Sequence, residues 1–157
     1  MKGSNIVYVV SYLLLTLGLA CYFGYHMLYG HPFPNADFDL MIDCIIVGSI
    51  GATLYCLHGV CFNFCVRKDW SNVWGVWYFL RPIMGAVCGG VSYLFLKAGL
   101  LVLEAKKEPD ASDLGFLAFA FIAGLNVDKF LKKIEDLAKA TWGIEKSKQD
   151  GDRDEKH

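Results

Sequence analysis

The chain has no surplus of charge of either sign: 15 Lys and Arg stand against 16 Asp and Glu, a formal net charge of −1 at pH 7. A protein that holds nucleic acid needs a basic face to displace counterions from phosphates, so nucleic acid is excluded as a partner. Cysteine is absent from every candidate extramembrane loop. Cys21, Cys44, Cys56, Cys61, Cys65 and Cys88 all fall inside apolar runs, which argues against a disulfide framework. Equally missing are a paired-histidine metalloprotease motif, a glycine-rich phosphate loop and a Gly-x-Ser-x-Gly elbow. No internal repeat is visible, and no cofactor is implied. Enzymatic activity is not expected.

What the chain does have is apolar length. Hydrophobic residues make up 55% of it and the mean hydropathy is +0.36. The charges collect between and after the apolar runs, a segregation that marks a polytopic membrane protein. Ile6 to Tyr29 is a run of 24 residues, about 36 Å of helix against a hydrocarbon core of about 30 Å. "GLAC" at Gly18 to Cys21 approaches a cleavage site, yet Lys2 alone forms the basic region and apolar character continues well beyond, so this span reads as an uncleaved anchor. "HPFPNADFD" then breaks the helix. Leu40 to Val66 is the second span. The aromatic segment Trp70 to Leu80, with Trp74 and Trp77, reads as interfacial, and Pro82 as the first turn of a third span reaching Leu103. Leu114 to Leu125 holds only 12 residues, short for a crossing; a fourth span results if Asn126 to Phe130 extends it.

From Val127 the period changes. Val127, Phe130, Leu131, Ile134, Leu137, Ala138 and Thr141 recur at helical spacing, with Lys and acids on the other faces. The expected fold is therefore all-α: four transmembrane helices over 1–126, a membrane-proximal amphipathic helix over 127–144 and a disordered charged tail over 145–157. Lys and Arg lie at Lys2, after span two and, most densely, after the fourth apolar segment, which puts both termini in the cytoplasm. Lys106 and Lys107 run against that count.

Two cations interrupt the third apolar run. Arg81, beside Pro82 and the tryptophans, reads as a boundary anchor that snorkels to phosphates together with Trp74 and Trp77. Lys97 lies deeper, where an unpaired ammonium costs about 2 kcal/mol or more. Asp43 and His26 share its half of the bilayer, so a Lys97–Asp43 ion pair is expected, with simple snorkelling and a charged ion path, His26 included, as alternatives. Between the cations, Gly85 and Gly89 form GxxxG, Gly90 repeats the small-residue spacing with Ala86, and Gly48 with Ala52 gives span two a similar face. Such faces let backbones approach closely, within one subunit or between subunits. A small bundle with much lipid-facing surface points to a homo-oligomer.

Other features read as structural. His58, Cys61 and Cys65 share a helical face, but the outer two are about 10 Å apart along the axis, too far for one ion; no metal site is expected. Cys65 beside Arg67 is a candidate for acylation. "RDEKH" at Arg153 to His157 is one residue short of the Arg-x-x-x-x-His pattern of HEPN-type ribonucleases. Phe116, Phe119 and Phe121 read as core or lipid-facing rather than as a cavity lining.

"WYFLRPIMGAVCGG", "FLKAGLL" and "AFIAGLNVDKFLKKIED" together resemble a loosely defined group of small bacterial inner-membrane proteins. The likeness runs from Trp70 to Trp142. The resemblance implies an Arg-Pro-containing span, a further apolar helix ending in glycine and a charged helix after it. Some proteins of this sort are encoded beside antiviral (antiphage) systems, where they form oligomeric pores or depolarise the membrane. The resemblance implies a defence-associated effector. The embedded ionisable residues, the two small-residue faces and the charged helix joined to a short span lead to the expectation of a self-associating protein that conducts ions or permeabilises the membrane when triggered, with a cytoplasmic protein partner contacting Val127 to Ile144. The alternative is a non-conducting accessory or immunity subunit that packs its glycine face on another membrane protein.

Overall fold

A computed structural model describes residues 2–30, 35–67, 74–99 and 109–143, and all its regular structure is helical. The protein is an all-α, polytopic chain. Helix α1 is Lys2–Gly30, α2 Ala36–Cys61, α3 Trp74–Lys97, α4 Pro109–Leu125 and α5 Val127–Trp142; a π-helical turn, Phe62–Arg67, continues α2. The charged tail, the loop around Lys106 and Lys107, and Trp70 lie outside the described residues. Among the described residues, three helices are long and apolar enough to cross a membrane: Ile6–Met27 of α1, Ala36–Arg67 and Gly75–Lys97 of α3. A fourth crossing exists only if α4 and α5 count together as one broken span.

Met1–Val127 forms one compact unit, and the chain from Asp128 a second. Within the first, α2 is central and packs on α1, α3 and α4. Only 11% of the α1 span is buried, against 44% for α3. Helix α1 is thus the peripheral member, and Tyr8, Leu15, Leu19, Tyr22 and Phe23 face outward.

Pro82 does not open the third span. It lies inside α3, which starts at Trp74. Proline removes the amide that would bond the Tyr78 carbonyl, a loss that membrane helices tolerate where neighbouring helices pack against the site. Pro82 is buried in this way. Beyond the end of α3, Gly99 turns the chain with a φ of +71°, the left-handed conformation glycine adopts without a Cβ penalty.

Two apolar clusters fill the first unit at opposite ends of α2. Ile6, Leu13, Cys56, Val60 and Tyr78 join α1, α2 and α3 towards the end that carries Arg67. Cys44, Tyr93 and Ala120, with Met41, Phe116 and Leu117 against them, join α2, α3 and α4 towards the other end. Phe116 is therefore core, its ring 5.6 Å from that of Tyr93.

Candidate functional site

Between the two clusters lies a seam of backbone contacts. A Cβ placed on Gly48 would meet the Gly85 carbonyl oxygen at 2.5 Å and the Gly89 Cα at 2.8 Å. Gly85 abuts Ala52, Gly89 abuts the Cys44 carbonyl, and Gly90 faces the Ile45 side chain. Gly48, Ala52, Gly85, Gly89 and Gly90, singled out in the sequence, thus pack α2 on α3 within one subunit. A third helix enters the same seam: Gly124 abuts the Gly48 carbonyl, and a Cβ on Gly51 would meet the Phe121 carbonyl oxygen at 2.5 Å. Neither stands out in the sequence, although Ala120 with Gly124 is another small-xxx-small pair. With α3 on one side and α4 on the other, the glycine face has no room left for a second protein.

The seam also sets the helices level with one another. The middle of the α3 span, Ala86, lies beside Gly85; the middle of the α2 stretch is Gly51 and Ala52. Gly85 on Ala52 therefore sets the two midpoints level. A Cβ on Gly51 would meet the Leu125 amide nitrogen at 3.0 Å. Helix α4 consequently stops at mid-span.

Arg81 is not the snorkelling anchor expected from its sequence neighbours. It is 2% exposed, with its guanidinium carbon 4.9 Å from the ring centroids of both Tyr55 and Trp77. Two aromatic faces, one from α2 and one a turn earlier on α3, replace part of the water shell a cation loses on burial. Trp77 is half-buried and packs on Tyr55 and Tyr78. It is a wall of the arginine site and not a free membrane anchor; Trp74 begins α3, and its side chain lies outside the described residues. One turn away, Asn63 Nδ2 donates to Tyr78 Oη at 3.1 Å. This places three polar side chains in the half of the bundle nearer Arg67.

Lys97 takes a different partner from the one expected. Its ammonium pairs with Asp37, not Asp43, and donates to Tyr93 Oη at 3.2 Å. The physical reason is height. Asp43 lies six residues further along α2, about 9 Å deeper, whereas Lys97 closes α3 and points to its rim. The pair is solvent-accessible, with side chains 47% and 76% exposed. His26 joins neither: its exposed imidazole faces Tyr22 on its own helix, at 6.4 Å between rings. The expected set of Lys97, Asp43 and His26 as one charged path is not assembled by this fold.

His58, Cys61 and Cys65 are all exposed, and among the described residues no group of histidine, cysteine and acidic side chains has the geometry to hold a metal. His58 instead stacks on Phe62, 6.5 Å between rings. Comparison with protein-family models, with curated proteins and with solved structures finds no significant match.

Proposed function

We propose that this chain is a self-associating protein of the bacterial inner membrane, with both termini cytoplasmic, whose assembled copies let ions pass when triggered. The observation that carries this is the seam itself. Gly48, Gly85, Gly89 and Gly124 bring three backbones into contact at mid-span, so a single bundle has no axial path. Any conduit runs between copies. The least covered surface for that contact is α1, whose span is 11% buried, and α3 adds exposed Ile83, Val87 and Leu94. The run of lysines after α4 supports the cytoplasmic placement of the C-terminal end. The amphipathic helix α5, a candidate contact for a cytoplasmic trigger protein, and a place beside antiphage systems complete the proposal; the second rests on the resemblance of Trp70 to Trp142.

A non-conducting accessory subunit is the second reading, favoured by the same closed seam. Its partner would dock on an outward apolar face, α1 being the least covered, since the glycine face is filled. Sizing in detergent followed by ion flux from liposomes separates the two. A ring of several copies with flux is the expected result; a stable monomer, or a vesicle that stays tight with the natural trigger present, removes the pore and leaves the accessory role.

A further inference from the structure

Residues five apart on an α-helix stand about 140° apart around its axis, so their side chains diverge. Phe62 and Arg67 nevertheless meet: the guanidinium carbon lies 5.7 Å from the ring centroid. The backbone explains this. Phe62–Arg67 is π-helical, with hydrogen bonds that reach one residue further than in an α-helix, so the turn takes in an extra residue and position 67 comes round towards position 62. Such turns are rare, and they are frequent at functional sites.

Side chains hold this turn, and burial does not. None of its six residues is buried, and Phe64, Cys65, Val66 and Arg67 are exposed. At its start Asn63 Nδ2 donates to Tyr78 Oη at 3.1 Å, and Tyr78 is 1% exposed within α3, so this end is fixed. At its finish Arg67 lies on the Phe62 ring, which His58 stacks from the preceding turn. An exposed cation–π contact is weak. In the α register the Asn63 contact would stay, because it precedes the extra residue, whereas Arg67 would leave the ring and swing about a quarter turn around the axis. No side chain has to leave the core for that exchange.

We propose that the last turn of α2 is a two-register latch: π while Arg67 lies on Phe62, α once that contact opens, with the Asn63–Tyr78 bond as its fixed pivot. Opening rotates the chain that leaves α2, while the seam of α2 on α3 and α4 stays as it is. A pull on that chain is thereby absorbed in a single turn. The latch is independent of whether assembled copies conduct.

Solution NMR of the full chain in detergent micelles reads the register. A nuclear Overhauser contact between the Phe62 Hα and the Arg67 amide marks the π turn, since an α-helix holds those protons apart. The contact from the Leu54 Hα to the Leu57 amide, in the α-helical part of α2, is the internal standard. Arg67→Gln removes the cation and disturbs nothing buried. We expect it to weaken the Phe62–Arg67 contact at least about threefold against the standard, as the population moves to the α register. An undiminished signal overturns the latch. Deletion of Val66 is the second arm: it removes the extra residue and leaves the arginine four places from Phe62, on the same face of an α-helix. The melting midpoint should then stay at its original value, whereas deletion of Leu57, inside α2, should lower it sharply by rotating every later residue about 100°. Equal losses from the two deletions would also overturn the latch.

Discussion

The two halves of the bundle are held by different physics. From the middle towards Lys97, α2, α3 and α4 meet backbone to backbone through glycines, with Cys44, Tyr93, Ala120 and Phe116 packed beyond them. Towards Arg67, α4 is absent and α1 takes its place, with larger side chains filling the space: Leu13, Tyr78 and Val60 around Cys56, and Arg81 clasped by two rings. In lipid no hydrophobic effect pulls helices together, so close approach and polar contacts must do it. One half relies on the first and the other on the second. The difference teaches where each half is brittle: the glycine half cannot accept a methyl group, and the aromatic half cannot lose its cation.

Substitutions at the seam should have the largest effect. Gly48→Ala would place a methyl against main-chain atoms of α3, and overpacking of this kind costs about 1–3 kcal/mol. At Gly18, where an added Cβ meets nothing within 4 Å, alanine should instead be neutral or stabilise by up to about 1 kcal/mol through helix propensity. Unfolding in detergent measures both, and equal effects would mean the seam is not tight. Next comes the aromatic half. Arg81→Met removes a desolvated cation from two rings, worth about 2 kcal/mol or more, and Arg81→Lys should not restore it, because an ammonium does not stack as a guanidinium does. A double-mutant cycle with Trp77→Leu should show coupling; additivity would refute the clasp. The smallest effect belongs to the exposed pair at the rim. Reversing Lys97 or Asp37 alone should lower the melting midpoint slightly, more at low salt than at high. Exchanging the two charges should restore it, whereas exchanging Lys97 with Asp43 should not.

Hydropathy makes the three long spans and the amphipathic α5 legible, because burial in hydrocarbon leaves a run of residues that a sequence displays directly. Pairing is another matter. The small residues at 48, 52, 85, 89 and 90 are visible as motifs, yet nothing in their spacing distinguishes contacts within a subunit from contacts between subunits. Arg81 misleads because its nearness to Trp74 and Pro82 in sequence signals a boundary, while the Tyr55 ring that receives it comes from another helix. Lys97 has two acids within plausible reach, and only the height of Asp37 against the end of α3 decides between them. In sequence the break after α4 looks like the extension of a short crossing; its depth comes solely from which glycines meet.

Main-chain atoms meeting main-chain atoms have an evolutionary consequence. A side chain that clashes can be answered by trimming its neighbour, but the Gly85 and Gly48 carbonyl oxygens that bound the seam exist whatever residues are encoded there. No second substitution elsewhere in the gene can make room. In descendants of this chain positions 48, 85, 89 and 124 should therefore stay frozen at glycine, while Gly18, where an added Cβ meets nothing, is free to change.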